Sequence, residues 1–162
     1  MIIKLIELIK IVRYSVRVSA KTRYAMEAMV DMAMQLGGNP VALTEISRRQ
    51  EISQGYLGQI FMQLRAAGLV KSVRGAGGGF VMGRSPSDIR MAEIAAVFEG
   101  PIDLIGCATD VGRCSRSVSC AVRQVWVEVG DSMKKALDSV TLQEVAELQA
   151  TKEAGATPAE DK

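Results

Sequence analysis

Three cysteines lie within one short segment of the sequence, and no histidine occurs anywhere in the chain. Cys107, Cys114 and Cys120 are separated by six and by five residues, in a stretch rich in glycine and serine. Because their number is odd and no cleavable signal peptide is visible, a disulfide framework is disfavoured. The cluster instead predicts a metal or redox site in a reducing, cytoplasmic compartment.

Clustered thiolates are typical ligands of iron–sulfur clusters and of zinc. A structural zinc site usually contains a pair of cysteines only two to four residues apart, and this sequence has no such pair. The spacing therefore favours an iron–sulfur cluster, either 2Fe-2S or 4Fe-4S. A zinc site or a free-thiol switch is the alternative.

The elements before the cysteines are predicted to be helical. Apolar residues at helical spacing predict helices over 20–36, 44–50 and 54–67, with Thr44 and Ser53 as the N-caps of the second and third. Two helices joined by a tight turn are typical of a DNA-binding unit whose second helix enters the major groove.

A β-hairpin is predicted next, from a strand over 69–74, a glycine-rich turn over 75–79 and a returning strand over 80–82. A nucleotide-binding glycine loop would continue into a helix, whereas a strand follows here. The pattern therefore predicts the wing of a winged helix. Arg74 lies at the base of the glycine tip, where a guanidinium could enter a minor groove.

The candidate DNA contacts carry hydroxyl, amide or cationic groups, or lie in the glycine tip of the wing. They are Arg17, Ser53, Gln54, Tyr56, Gln59, Arg74, Gly75 and Gly77. A core position explains Tyr56 equally well. Four further cations are predicted to attract phosphates, namely Arg48, Arg49, Arg65 and Lys71.

The C-terminal part of the chain is also predicted to be helical. A helix over 88–98 precedes the cysteines, and a long helix with an apolar stripe over 121–137 follows them. That stripe either packs on its own domain or pairs two chains, and a one-wing DNA reader favours a homodimer on a palindromic operator. Thr141 is predicted to cap a last helix over 142–149.

The predicted fold class is mainly α with a small β-hairpin wing, a winged helix-turn-helix followed by a long dimerisation helix. The DNA-binding domain is expected over 16–100, the cluster-binding loop over 101–120, and the dimerisation and final helices over 121–149. Residues 1–15 are expected to be a mis-annotated or disordered extension, and residues 150–162 a disordered tail.

Charge is distributed unevenly along the chain. Residues 16–90 carry ten lysines and arginines against five acidic residues, whereas residues 91–162 carry seven against twelve. A basic front suits a surface that meets phosphates. The apolar start of the chain is too short and too often charged to span a bilayer. No acid–base set or substrate pocket is recognisable, so we expect neither an enzyme nor a small-molecule substrate.

Residues 16–149 resemble the IscR/RirA/NsrR-type winged-helix regulators of the Rrf-two superfamily. The matching stretches are Val18–Met26, Leu43–Ser47, Ile52–Ser53 with Tyr56–Leu57, Leu69–Val70, the wing Val73–Phe80 and the three-cysteine loop. The resemblance implies a DNA-binding homodimer with crossed long helices and an iron–sulfur cluster on the three cysteines. It also implies that the protein is a sensor. We predict that it represses cluster-assembly or iron genes, and a nitric-oxide-sensing regulator of the same family is the alternative. Members usually begin at the residue aligned with Val16, so we expect translation to start there.

The fourth cluster ligand of the resembled proteins is missing. IscR-like members use a histidine three residues after the last cysteine, where this chain has Arg123, and NsrR-like members can use an aspartate where it has Arg23. The remaining protein candidates are the carboxylates of Asp110, Glu128, Asp103 and Glu27. A two-iron cluster would need one of them, whereas a four-iron cluster tolerates an iron with a non-protein ligand. We favour the open, labile cluster.

Overall fold

The computed structural model describes residues 18–35, 38–75, 77–101 and 104–155. These residues form helices α1 (Ala20–Met34), α2 (Leu43–Gln50), α3 (Gln54–Ala66), α4 (Met91–Glu99), α5 (Ala121–Asp138) and α6 (Leu142–Gly155), and strands β1 (Val70–Val73) and β2 (Gly79–Met82). Three short 3₁₀ turns lie at Pro86–Asp88, Val111–Arg113 and Ser117–Ser119. The predicted fold class, mainly helical with one small hairpin, is confirmed.

Several predictions concern residues outside the described ranges. These are the extension over residues 1–15, the DNA contact of Arg17, the candidate ligand Asp103 and the last seven residues of the predicted tail.

The hydrophobic core lies between α1, α3, α4 and α6. Its fully buried side chains include Met29 of α1, Phe61 and Leu64 of α3, Ile94 of α4 and Leu142 of α6. Burying side chains of this size is the main favourable term in folding. The first two-thirds of the chain therefore share one core with the last helix.

The turn between α2 and α3 is short and strained. Glu51 adopts a left-handed conformation with φ 53°, unusual for a residue other than glycine. The Ser47 hydroxyl donates a hydrogen bond of 2.6 Å to the Ile52 carbonyl, and the Ile52 N–H donates one of 3.1 Å to the Ser47 carbonyl. Ile52 is buried, so this turn fixes the direction in which α3 leaves α2.

The caps of α2 and α3 differ from the prediction. Helix α2 begins at Leu43, with Ala42 rather than Thr44 as its N-cap. The cause is the preceding residue: Val41 exchanges two backbone hydrogen bonds of 2.9 Å with Phe80 of β2, and the chain turns into the helix directly afterwards. Ser53 is the N-cap of α3, as predicted, but its side chain makes no capping hydrogen bond.

The hairpin is antiparallel and short. Val70 faces Met82 and Val73 faces Gly79 in its register. The ring of Phe80 on β2 packs against Phe61 of α3, with 4.7 Å between ring centroids. This aromatic contact attaches the wing to the predicted recognition helix, so the two elements that are predicted to meet DNA are held together.

Helix α4 starts later than the sequence predicts. The expected start at Asp88 is a 3₁₀ turn instead, and the helix begins at Met91. Ile89 is extended and fully buried, and its carbonyl accepts a hydrogen bond of 2.8 Å from the Leu142 N–H. The Met91 N–H bonds the Val140 carbonyl at 3.0 Å. Pairing with the segment before α6 therefore keeps residues 89–90 out of the helix.

Helix α6 is longer than predicted. It continues to Gly155, so the expectation of disorder from residue 150 onward is wrong for residues 150–155. Exposed side-chain bonds support the extra turns: Gln149 Nε2 donates to Glu153 Oε1 at 2.8 Å, and Thr151 Oγ1 donates to the Glu147 carbonyl at 2.9 Å. A polar, alanine-containing sequence without proline can extend a helix that the core has already nucleated.

Candidate nucleic-acid interface and thiolate loop

The start of α3 presents polar side chains to solvent. Ser53, Gln54 and Gln59 are exposed, as a surface that meets base edges requires. Tyr56 is half-buried, and its ring packs edge-on against Tyr24 of α1, with 5.9 Å between ring centroids and an interplanar angle of 90°. Tyr56 therefore links α3 to α1 as part of the packing.

The tip of the wing depends on glycine. Gly75 and Gly77 are exposed, with φ 114° and 81°, values that other residues rarely adopt. A Cβ on Gly78 would lie 2.5 Å from the backbone oxygen of Val73, so a side chain there would force the tip to move. Arg74 is exposed beside this tip. The wing therefore presents a narrow glycine backbone next to the exposed guanidinium of Arg74.

Three of the four additional cations are exposed, whereas the fourth is partly buried in an ion pair. Arg48, Arg65 and Lys71 are exposed. Arg49 instead forms a two-pronged ion pair with Asp31 of α1, with Nε–Oδ1 2.8 Å and Nη2–Oδ2 2.7 Å. The hydrogen bonds to Asp31 raise the pKa of Arg49 further above its usual range. The prediction that Arg49 attracts phosphate is therefore replaced by a structural role, holding α2 on α1.

Arg23 occupies the place where NsrR-like proteins carry an aspartate. Its guanidinium lies 4.2 Å from the centroid of the Tyr24 ring, and Nη1 is 3.1 Å from Glu27 Oε1. The contacts with Tyr24 and Glu27 raise the pKa of Arg23. Glu27, a candidate cluster ligand, is thus already paired with an exposed cation of its own helix.

The N-terminus of α1 is anchored to the end of α4, and the sequence pattern does not predict this contact. Glu99 accepts hydrogen bonds from the Ser19 N–H, at 2.8 Å, and from the buried Thr22 hydroxyl. The Thr22 and Ser19 bonds hold the pKa of Glu99 below its ordinary value. Because Gly100 follows Glu99, this anchor joins the start of the predicted DNA-binding domain to the entrance of the cysteine loop.

The cysteine loop is built from two 3₁₀ turns. Cys114 follows the first turn, and its carbonyl accepts a hydrogen bond of 3.0 Å from the Ser117 N–H of the second. Cys120 is the N-cap of α5. Asp110 caps the first turn, accepting a hydrogen bond of 2.9 Å from the Gly112 N–H. The turns place the second and third cysteines at successive corners of the loop.

The three cysteines are free and half-buried. Within the described ranges, no group of three or more histidine, cysteine, aspartate or glutamate side chains converges to hold a metal ion. The chain thus brings the thiols into one loop but does not aim them at one point. A metal centre there would require the loop to close further.

Two arginines surround the first cysteine. Arg123, in the first turn of α5, donates from Nε to the Cys107 carbonyl at 2.7 Å and from Nη2 to the Ala108 carbonyl at 2.9 Å. Arg113 lies over Gly106, where an added Cβ would be 2.7 Å from its Nη1. The sequence shows that Arg123 stands where the resembled proteins have a histidine ligand, but it does not predict the bonds of Arg123 to the loop backbone.

A buried hydroxyl lies between the second and third cysteines. Ser117 is 3% exposed, and its Oγ has no hydrogen-bond partner among the described residues. Ser117 also lines a cavity of about 520 Å³ together with Cys120, Arg123 and Glu128. An unsatisfied buried hydroxyl is costly, so this group has hydrogen-bonding capacity available for something bound in the loop.

The chemistry of these residues fits an iron–sulfur group. Thiolates are the protein ligands that such clusters use. The guanidiniums of Arg113 and Arg123 contact the same loop and would offset part of the negative charge of a bound cluster. The Ser117 hydroxyl can donate to a sulfur, the kind of outer contact that tunes clusters.

Helix α5 exposes an apolar face. Val122, Val125 and Val129 are 64%, 58% and 39% exposed. A shallow groove of about 530 Å³ continues along the same face, lined mainly by Val125, Val129, Met133 and Ala136. Helix α5 has 18 residues, and in the part of the chain that the structure describes no helix is long and apolar enough to cross a membrane. Contiguous exposed apolar surface of this kind marks interaction sites.

Known proteins share this sequence and this fold. Residues 18–148 match the Rrf2 family, described as an iron-dependent transcriptional regulator. The chain is 38% identical over 133 residues to the HTH-type transcriptional regulator IscR of Escherichia coli O1:K1 / APEC, covering 82% of each chain.

Among solved structures, IscR of T. potens superposes with a TM-score of 0.69 at 36% identity, covering 90% of this chain and 95% of that one. CymR, described as the global cysteine regulator of B. subtilis, superposes with a TM-score of 0.68 at 34% identity, covering 82% and 98%. These relatives are named as regulators rather than enzymes. The chain belongs to the Rrf2 family of winged-helix transcriptional regulators and is not an enzyme.

Proposed function

We propose that this regulator binds a palindromic operator as a homodimer and senses the state of an iron–sulfur cluster held by Cys107, Cys114 and Cys120. One observation carries the proposal: three free thiols share a loop that begins after the DNA-binding domain and ends at the N-cap of α5. The predicted targets are genes of iron–sulfur assembly or iron homeostasis, which the regulator represses in the cytoplasm. Its relatedness to IscR supports this assignment.

The proposed DNA surface combines the start of α3 with the wing. Exposed Ser53, Gln54 and Gln59 supply groups for base edges, and Arg74 with the glycine tip supplies a minor-groove probe. Arg48, Arg65 and Lys71 add phosphate attraction. Tyr56 supports this surface from behind through its contact with Tyr24.

The proposed homodimer forms through the apolar face of α5. Two copies of one face make a self-complementary interface, as two-fold symmetry requires. A two-fold dimer also matches a palindromic operator, because each recognition helix then meets one half-site. The cysteine loop adjoins the first turn of α5, so a change in cluster state can alter the spacing of the two recognition helices.

The fourth ligand is proposed to come from outside the protein. Glu27 is paired with Arg23, Asp110 caps its own turn, and Glu128 lies two helical turns beyond Cys120, where it contacts Gln124 at 3.4 Å. Arg123 cannot serve, because a guanidinium has no free lone pair. When bound, the cluster would supply one iron with an exchangeable ligand, the property expected of a sensor of iron, oxygen or nitric oxide.

The test is operator binding in defined cluster states. The operator is first selected from genomic fragments, and its affinity is measured anaerobically for protein with its cluster and after removal of iron by a chelator. We expect at least a tenfold difference, and a palindromic site. Variants with Cys107, Cys114 or Cys120 replaced by alanine should bind as the cluster-free protein does. Equal affinity in both states and in all variants would refute cluster sensing.

A second candidate is a cluster-free thiol switch. The similarity to CymR of B. subtilis and to the oxidized form of CymR from Staphylococcus aureus favours it, as does the lack of convergence of the cysteines within the described residues. This reading predicts that a thiol oxidant changes operator affinity in metal-free protein. Cluster sensing predicts that the metal-free protein is already in its final DNA-binding state, so the oxidant has no further effect.

A further inference from the structure

Arg123 joins the two ends of the thiolate loop. It lies three residues after Cys120, in the first turn of α5, and its side chain reaches back to the opposite end of the loop. There it donates to the carbonyls of Cys107, at 2.7 Å, and Ala108, at 2.9 Å. One half-buried side chain thus holds the backbone of the first cysteine against the helix that starts at the third.

The geometry of these bonds depends on a guanidinium. Nε and Nη2 of Arg123 present two N–H groups in a fixed plane, and two successive carbonyls accept them. A lysine would keep the positive charge, but its compact ammonium cannot match this planar fork. The bonds of Arg123 to the two carbonyls therefore depend on the planar shape of its guanidinium as well as on its charge.

The position of the bonds matters for a site made of thiols. Bringing the ends of a flexible loop together costs conformational entropy. Because the bonds of Arg123 already restrain the loop in the metal-free chain, a bound cluster would have less of the loop left to order. Arg123 also lies one residue from Val122 and two from Val125, on the turn where the exposed face of α5 begins. The two bonds therefore connect the loop backbone at Cys107 to the start of that face.

We propose that Arg123 is a positioning residue that holds the backbone of Cys107 against the start of α5 and so couples the cysteine loop to that helix. The inference rests on the proposed cluster for its consequence, but the placement of Cys107 is a property of the metal-free chain. Arg123→Ala removes the fork and the charge, whereas Arg123→Lys removes only the fork. The matched control is Arg116→Ala, because Arg116 is an exposed arginine of the same loop.

The first measurement uses reduced, metal-free, full-length protein. Iodoacetamide is added anaerobically, and mass spectrometry of peptides gives the alkylation rate of each cysteine. We expect Cys107 to react about tenfold faster in both Arg123 variants, the factor that loss of a charge-assisted hydrogen bond corresponds to. Cys114 should react at its wild-type rate, and Arg116→Ala should leave all three rates unchanged. Circular dichroism confirms that each variant is folded.

The second measurement uses protein reconstituted anaerobically with iron and sulfide. The visible absorbance of the cluster is followed after addition of a chelator, and both Arg123 variants should lose it about tenfold faster than wild type. Wild-type rates in both measurements would overturn the inference, and so would full rescue by lysine. If wild-type protein takes up no cluster, the proposed function fails, and the alkylation rates alone then decide the role of Arg123.

Discussion

At the scale of single residues, arginines in this chain differ in role according to their partners. Arg74 is exposed beside the wing tip and remains available for DNA. Arg49 is bound by both oxygens of the buried Asp31, and Arg123 is bound by the carbonyls of the cysteine loop. Sequence shows only that each position is cationic. The partner, which is distant along the chain, decides whether the cation binds DNA, joins two helices or shapes the thiolate site.

Arg74 is expected to contribute to DNA affinity through the wing. In Arg74→Ala, operator affinity should fall, and the slope of log affinity against log salt should decrease by about two, because a dimer loses one cationic contact from each wing. Lys152→Ala, which removes an exposed cation from α6, is the control and should leave the slope unchanged. An unchanged slope and affinity in Arg74→Ala would refute the wing contact.

Arg49 is expected to stabilise the fold. Arg49→Ala leaves Asp31, which is 8% exposed, without its partner, so we expect the free energy of unfolding to fall by about 2 kcal/mol, a buried-pair cost reduced for partial exposure. Arg48→Ala, the control, removes an exposed neighbouring arginine and should change the free energy of unfolding by less than about 0.5 kcal/mol. Urea denaturation measures both. Equal losses in the two variants would mean that the ion pair is not stabilising.

At the scale of elements, contacts at helix ends determine where helices begin and end, which the hydrophobic pattern alone does not predict. Apolar spacing predicted the six helices and the hairpin that the described residues form. Most of these elements bury an apolar side chain in the common core, whereas three valines of α5 stay exposed. Apolar spacing missed the true start of α4, because Ile89 pairs with the chain before α6. It also placed the end of α6 too early, because the exposed turns up to Gly155 have no apolar face to reveal them.

The anchor between α1 and α4 should make stability depend on pH. The Thr22 and Ser19 hydrogen bonds lower the pKa of Glu99 from its ordinary value of 4.5. A carboxyl with a lower pKa in the folded state stabilises the fold above the pKa of the unfolded chain, and that contribution is lost as the pH falls through the folded value. Glu99→Gln should therefore be less stable than wild type at pH 7, by under about 1 kcal/mol for an exposed carboxylate.

The difference in unfolding free energy between wild type and Glu99→Gln should narrow progressively below about pH 4.5. Urea denaturation at a series of pH values measures it. Glu147→Gln, which removes an exposed carboxylate of α6 that takes no part in the bonds to Ser19 and Thr22, serves as the comparison. A difference that stays constant with pH, or grows as the pH falls, would contradict the assigned role of Glu99.

The exposed face of α5 is expected to hold the dimer together. Introducing charge with Val125→Glu and Val129→Glu should convert the dimer to monomers and reduce operator affinity by at least tenfold, because each monomer then engages one half-site. Leu148→Glu places the same charge at a side chain of α6 that is 55% exposed, and it should leave the dimer intact. Sedimentation velocity measures both, and a dimeric double variant would show that another surface pairs the chains.

At the scale of the whole molecule, side-chain contacts within the described residues connect the winged helix, the cysteine loop and α5. Glu99 anchors the start of α1 to the entrance of the loop, and Arg123 ties the loop to α5. Glu51 and the hydrogen bonds of its turn fix α3 on α2. In the proposed sensing mechanism, these contacts would carry a change in the loop to the DNA-binding domain and to the proposed dimer interface.

Much of this architecture was predictable from the sequence, whereas the detailed site was not. The order of helices, hairpin and cysteines follows from local patterns, and Cys107, Cys114 and Cys120 identify the loop by residue type alone. The bonds of Arg123 to Cys107, and the buried, unpartnered hydroxyl of Ser117, depend on how the chain folds back on itself. Such contacts join residues far apart in sequence, and no periodicity encodes them.

Mössbauer spectroscopy of ⁵⁷Fe-labelled protein, purified anaerobically from iron-replete cells, tests the central claim most directly. We predict the spectrum of an iron–sulfur cluster in wild-type protein, and its loss when Cys107, Cys114 and Cys120 are replaced together by alanine. The spectrum also distinguishes a 2Fe-2S from a 4Fe-4S centre. The claim would be contradicted if the wild-type protein gave no iron–sulfur spectrum, or if it contained zinc bound through the three cysteines.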